Sequence, residues 1–138
     1  MYNLFLDDVR TPHTTKGAYY KELGRWEAGF PSLLTWETVK NYNEFVSIIE
    51  SKGLPKLISF DHDLAWDHYP VGETSMDAKI NYEKYEEKTG YHCAKWLIEY
   101  CQSKKLPLPD WMVHSFNPVG RKNIIDLLDS YERNRENS

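Results

Sequence analysis

Short apolar runs recur along this chain, and each ends abruptly in polar chemistry. Leu4-Phe5-Leu6 runs into Asp7-Asp8, Leu57-Ile58-Ser59-Phe60 into Asp61-His62-Asp63, and Trp111-Met112-Val113 into His114-Ser115. Runs this short, bounded by polar residues, read as buried parallel strands. They predict strands over about residues 2–7, 56–60 and 111–115. Leu33 to Val39, carrying Leu, Thr, Trp and Val, is β-prone and predicts one more.

Between these runs the period lengthens. Tyr42, Phe45, Val46 and Ile49 sit at i, i+3, i+4 and i+7, with Gly53 just past Lys52, which predicts a helix. Cys93, Ala94, Leu97, Ile98 and Cys101 predict an amphipathic helix from Gly90 to Gln102. Asn117-Pro118 suits an N-cap and a first helical position. Ile124, Ile125, Leu128 and Tyr131 then form the buried face of a last helix, beyond which Glu132 to Ser138 is expected to fray. The polar stretch up to Pro31, with Tyr19, Tyr20 and Trp26, has no clean period and allows at most a short helix. Residues 64–88, rich in Asp, Glu, Lys and Tyr, far exceed the ~2–6 residues of an ordinary strand-to-helix loop. They read as a lid or as a surface insertion. Strands alternating with helices imply an α/β fold: about four mostly parallel strands with helices on both faces, a three-layer single domain spanning residues 1–138.

Composition narrows the partners. A net charge of −4 over 138 residues argues against an extended nucleic-acid-binding surface, so any phosphate recognition is local. Cys93 and Cys101 have neither CxxC spacing nor a disulfide framework and read as reduced core residues. The opening MYNLFLDD has no basic n-region, and no apolar run approaches ~18 residues, so a cytoplasmic protein with no membrane partner is expected.

Ligands of open α/β sheets bind beyond the carboxyl ends of the strands, where this chain puts its acids and histidines. Asp7, Asp8, Asp61 and Asp63 would repel one another there, and a divalent cation would relieve that cost. Oxygen ligands favour Mg²⁺, Ca²⁺ or Mn²⁺, and adding an imidazole shifts the preference towards Mn²⁺ or Zn²⁺. Single acids could instead cap helices or pair with Arg10. His62 and His114, at separate strand mouths, suit a general base and general acid near neutral pH. Asn117-Pro118-Val119-Gly120-Arg121 opens a helix whose amides could receive an anion, with Gly120 admitting a ligand close to the backbone and Ser115 and Arg121 adding contacts. Arg10 could orient a carboxylate or bind a phosphate oxygen. Trp66 and Tyr69 could stack on a base or pack the lid.

LFLDDVRTP, ISFDHDL, TGYHCAKWLIE and MVHSFNPVGRKNI resemble, in order and spacing, the motifs of the cyclic-phosphate-processing receiver-like domains. The resemblance implies a reduced receiver-like, flavodoxin-type sheet. It implies processing of cyclic phosphates at RNA ends, in RNA repair or in conflict systems that include phages. Position by position it carries over Asp7-Asp8 with Arg10, Asp61-His62-Asp63, Thr89-Gly90, and His114-Ser115 with Asn117 and Gly120. One departure is Ala65, where the pattern tends to have Gly.

The favoured reading is a phosphoesterase that opens a 2′,3′-cyclic phosphate at an RNA end or a related cyclic nucleotide. Asp61, His62 and His114 are its catalytic candidates. Arg10, Ser115, Asn117, Gly120 and Arg121 would bind substrate, and Asp7, Asp8, Asp61 and Asp63 would hold Mg²⁺ or Mn²⁺. Three readings compete. A dehalogenase-like phosphatase using Asp61 as nucleophile is disfavoured because the acid pair here precedes the DxD. A true receiver would accept phosphate on Asp61. A non-catalytic sponge would bind a cyclic nucleotide without turning it over.

Overall fold

A computed structural model describes residues 1–64 and 88–136. Among these residues six strands form one sheet: β1 (Asn3–Leu6), β2 (Gly17–Tyr20), β3 (Arg25–Ala28), β4 (Trp36–Val39), β5 (Leu57–Phe60) and β6 (Asp110–Val113). Their order is β3-β2-β6-β5-β1-β4. The three apolar runs are the adjacent strands β6, β5 and β1, and β4 continues the parallel set at one edge.

The α/β class is as expected, but the strands number six rather than about four. The extra pair is an antiparallel hairpin of β2 and β3, registered from Gly17↔Ala28 to Tyr20↔Arg25 and joined to β6 through Tyr19↔Val113. It occupies the stretch in which the sequence allowed a short helix, and that helix is present just ahead of it as a single 3₁₀ turn at Pro12–Thr14. Strands of four residues are too short for a period of two to stand out, and pairing with β6 supplies what local pattern lacks. The predicted strand from Leu33 begins only at Trp36, because Leu33 and Leu34 lie in a turn and stay exposed.

Three helices follow the predicted positions: α1 (Tyr42–Lys52), α2 (Gly90–Lys104) and α3 (Pro118–Glu136). Asn41 caps α1 by accepting the Glu44 N–H at 2.9 Å. Gly53 ends it at a φ of 84°, a left-handed backbone that glycine adopts without a Cβ penalty. Asn117 caps α3, its Oδ1 accepting the Gly120 N–H at 3.0 Å. The stretch expected to fray from Glu132 is helical to Glu136. Side chains tie it down: Glu132 accepts the Trp111 indole N–H at 2.6 Å, and Arg135 donates to the Leu106 carbonyl at 2.7 Å. The lid predicted over 64–88 lies outside the described residues, save for its first and last positions.

Strand parity divides the interior. Leu4, Ile58 and Trp111 are in register, as are Leu6, Phe60 and Val113. Both rows join one core with Phe45 and Ile49 of α1, Leu97 of α2 and Ile124 and Leu128 of α3. Among the described residues all three helices thus feed the same face, rather than covering both as expected. The opposite face carries Phe5, Ser59 and Met112. There Phe30 meets Phe5 edge-on at 5.5 Å and Trp36 meets it at 6.0 Å. Aromatic rings from the edge strand β4 and from the loop before it thus do the covering that a helix was expected to do. Cys93 and Cys101 are buried free thiols, as predicted. Among the described residues no helix is long and apolar enough to cross a membrane.

Candidate functional site

The same parity sorts the strand-end chemistry. Asp7 is two residues beyond Phe5, Asp61 two beyond Ser59 and His114 two beyond Met112, so all three emerge on the face away from the helices. Their ligand atoms lie within 4.8 Å of one another, and all three residues are buried. His62, one residue out of phase with Asp61, turns to the helix side. The single acid-and-histidine cluster expected from sequence is therefore two clusters.

In the first cluster, Asp7 is the hub. Its Oδ1 accepts the backbone N–H groups of Val9 and Arg10 at 2.9 and 2.8 Å. Its Oδ2 accepts Arg10 Nε at 2.9 Å and His114 Nε2 at 3.0 Å. Arg10 continues to Asp61, with Nη2 3.1 Å from Oδ1. Because Asp7 offers only acceptors, His114 carries its proton on Nε2, and its Nδ1 accepts the Ser59 hydroxyl at 2.7 Å. The imidazole stacks on Phe5 at 4.5 Å and is fully buried.

Burial dominates the electrostatics. It alone would raise the Asp7 pKa, but hydrogen bonds from His114, Arg10 and Val9 overcome it and hold the group below the ordinary carboxylate range. Asp61 goes the other way: burial, then the negative charge of Asp7, push its pKa well up against the opposing pull of Arg10. Of the two carboxyl groups on Arg10, Asp7 is thus the one whose ionised form the fold favours, and Asp61 the one whose ionised form it disfavours. Burial also lowers the His114 pKa, against the attraction of Asp7, and keeps the ring neutral. Asp61 Oδ2 is buried and has no hydrogen-bond partner among the described residues. An orphaned oxygen of this kind in a native fold asks for a ligand.

The second cluster lies where the strand ends meet the helix N-termini. His62 Nδ1 is 2.8 Å from Asp63 Oδ1, which also accepts Asn117 Nδ2 at 3.1 Å. Gly120 is glycine because the His62 ring occupies its Cβ space: a methyl there would lie 2.3 Å from Cγ. Gly90 is constrained harder still, since a Cβ would fall 1.7 Å from the Asp61 carbonyl oxygen, and its N–H donates to the His62 carbonyl at 2.8 Å. The Thr89-Gly90 step therefore lets α2 start directly against the Asp61-His62 backbone.

Several expectations change with these contacts. Asp8 and Asp63 stand outside the group able to hold a metal ion, which comprises Asp7, Asp61 and His114 among the described residues. Gly120 does not admit a ligand to the backbone, because His62 fills that space and Asn117 takes its amide. Ser115 is buried and its hydroxyl accepts the Asn117 N–H at 3.2 Å, a local turn rather than an open contact. Arg121 donates to the Ser115 carbonyl at 2.9 Å and lies over Trp26. Arg10 is held by carboxylates and still partly exposed. Trp66 and Tyr69 lie outside the described residues. Sequence reasoning missed Ser59, whose signal was a hydroxyl inside an apolar strand, and Phe116, an aromatic ring directly after one. An apolar-lined cavity of about 250 Å³ lies at the other end of the sheet, between Asn3, Lys56, Leu57 and Asp110, away from this chemistry.

The family model for the cyclic-phosphate processing receiver domain matches residues 2–130. The chain belongs to that family. Comparison with curated proteins and with solved structures found no match. Membership in the cyclic-phosphate processing receiver domains fits the receiver-like arrangement of a parallel sheet with acids at adjacent strand ends. The family's name points to a role in cyclic-phosphate processing.

Proposed function

We propose that this receiver-like domain is a phosphoesterase that opens a cyclic phosphate, either a 2′,3′-cyclic phosphate at an RNA end or a related cyclic nucleotide. Hydrolysis adds water to phosphorus, breaks one P–O bond to the ribose, and leaves a phosphomonoester and a free hydroxyl. The leaving oxygen needs a proton, and the observation that carries the proposal is Asp61. Its carboxyl is buried, its pKa is raised, and its Oδ2 is without a partner among the described residues. A protonated Oδ2 has no acceptor there until a ligand oxygen arrives, which is what a general acid requires. Arg10 supplies the positive charge for the phosphoryl oxygens.

His62, expected to move a proton, is buried on the helix side against Asp63, so in this reading it positions Asp63 and Asn117 at the strand ends. His114 acts differently from the expectation of proton transfer to substrate. Both its nitrogens are engaged, so it positions Asp7 and, through Asp7, Arg10.

Asp7 and Asp61 would hold an Mg²⁺ or Mn²⁺ ion, with the orphaned Asp61 Oδ2 as the open donor, and His114 could join as a third donor, favouring Mn²⁺, only by giving up its bond to Asp7. A bound cation would polarise the phosphoryl oxygens. Arg10 already draws on the same carboxylates, so cation and guanidinium compete for them.

The test is incubation with an RNA ending in a 2′,3′-cyclic phosphate, in Mg²⁺, Mn²⁺ or EDTA, with the end products resolved. Conversion that Asp61→Asn abolishes supports the reaction, and the EDTA lane decides the role of metal. Binding without conversion favours a cyclic-nucleotide sponge or sensor, a reading supported by the full burial of both imidazoles.

A further inference from the structure

Beside the first cluster, four side chains from three parts of the chain form a row. Arg121 Cζ lies 4.8 Å from the Trp26 ring centroid, Trp26 lies 5.6 Å from Phe116 at a tilt of 42°, and Arg10 Cζ lies 5.0 Å from the Phe116 centroid. Two neighbouring rings lie between two guanidinium groups. Both ends are anchored: Arg10 by Asp7 and Asp61, Arg121 by the Ser115 carbonyl. The hairpin that brings Trp26 into the row is the element absent from the sequence reading. Gly17 makes its seat, since a Cβ at that position would come within 2.9 Å of the Trp26 indole.

Phe116 is 61% exposed. The other exposed large apolar side chains among the described residues are aliphatic, so this is the one aromatic ring left open to that extent. Single exposed apolar residues need no explanation by themselves. This one is held between an arginine and a tryptophan, so a flat partner would dock on it at little cost in side-chain entropy. Arg10 spans the two environments, with one side on the Phe116 ring and the other 3.1 Å from Asp61. A nucleotide likewise carries a flat base and an anionic phosphate on one ribose.

We infer that Phe116 is a stacking platform for the nucleobase of the terminal nucleotide, with Trp26 buttressing it and Arg10 shared between base platform and phosphate. The inference deepens the cyclic-phosphate reading and rests on it for the position of the phosphate. It makes the ligand a nucleotide rather than a base-free cyclic phosphodiester. Stacking accepts any base, so adenine, guanine, cytosine and uracil ends are all bound.

Binding is best read with ligands that the proposed reaction does not consume. Adenosine 2′- and 3′-monophosphate, the products of opening either P–O bond, are compared by calorimetry with the corresponding methyl riboside phosphates, which lack the base. The wild-type chain binds the adenosine compounds more tightly by on the order of 10-fold. Phe116→Ala removes that increment and leaves the base-free ligands unchanged, while Phe116→Trp restores it. Equal affinity of wild type and Phe116→Ala for the adenosine compounds overturns the platform, as does absence of any binding. Conversion of a cyclic end with no base increment sinks the platform alone. A Phe116-dependent increment without conversion sinks the hydrolytic reading and keeps the platform.

Discussion

Nε2 of His114 lies 3.0 Å from Oδ2 of Asp7, and this contact joins the ends of β6 and β1 beneath the Arg10 guanidinium. The two residues are 107 positions apart. Through this contact and its bond to Ser59, one neutral imidazole spans three adjacent strands.

Asp7→Asn tests that hub. The amide cannot accept from both Arg10 Nε and His114 Nε2 while keeping the two backbone N–H donors, so buried donors are stranded. A loss of roughly 3–5 kcal/mol is expected, read as a shift in the urea midpoint at constant slope. A change below ~1 kcal/mol would show that Asp7 is not the hub.

Acid should destabilise the domain in two stages. His114 has a folded pKa below its unfolded value of about 6.5, so the unfolded chain binds more protons as pH falls through that value. Asp7, also lowered in the fold, adds a further loss as pH falls through its unfolded value near 4 and on through its folded pKa. Thermal midpoints between pH 8 and pH 5 should fall in wild type and flatten over that window in His114→Asn. Parallel curves would remove His114 from the account.

Asp61 has the opposite sign. A folded pKa raised by burial means that the stability it contributes is present in acid and lost as pH rises through that pKa. Asp61→Asn should therefore be more stable than wild type at neutral pH, with the advantage shrinking in acid. Turnover of a cyclic phosphate should drop by roughly 10²- to 10⁴-fold, the range for losing a general acid. Retained turnover in this variant would falsify the general-acid role.

The two packed glycines separate scaffold from chemistry. Gly90→Ala drives a methyl into backbone, 1.7 Å from the Asp61 carbonyl oxygen, and should cost about 3 kcal/mol or more. Gly120→Ala meets the His62 ring instead. It should cost about 1–3 kcal/mol and displace the imidazole, visible as a shifted His62 ring resonance. An unmoved resonance with wild-type stability contradicts the packing.

Competition between Arg10 and a cation is open to direct titration. Arg10→Met frees the carboxylate oxygens of Asp7 and Asp61, so Mn²⁺ followed by electron paramagnetic resonance should bind more tightly than to wild type. Weaker binding in the variant would mean that Arg10 supports the metal site instead.

What the sequence determined by itself was the parallel core and the inventory of the site. Leu4-Phe5-Leu6, Leu57 to Phe60 and Trp111 to Val113 are, but for Ser59, apolar on both faces, a local property that marks buried strands, and each is followed directly by its polar residues. The end of α1 and the start of α3 were equally legible, because Gly53 and Asn117 act on backbone groups within a turn of themselves. Tertiary structure decided the partners. Only the register of β1, β5 and β6 puts Asp7, Asp61 and His114 on one face and His62 on the other, and only the hairpin of β2 and β3 carries Trp26 to Phe116. These are contacts between residues far apart in the chain, set by strand pairing and packing, and no local pattern of hydrophobicity encodes them.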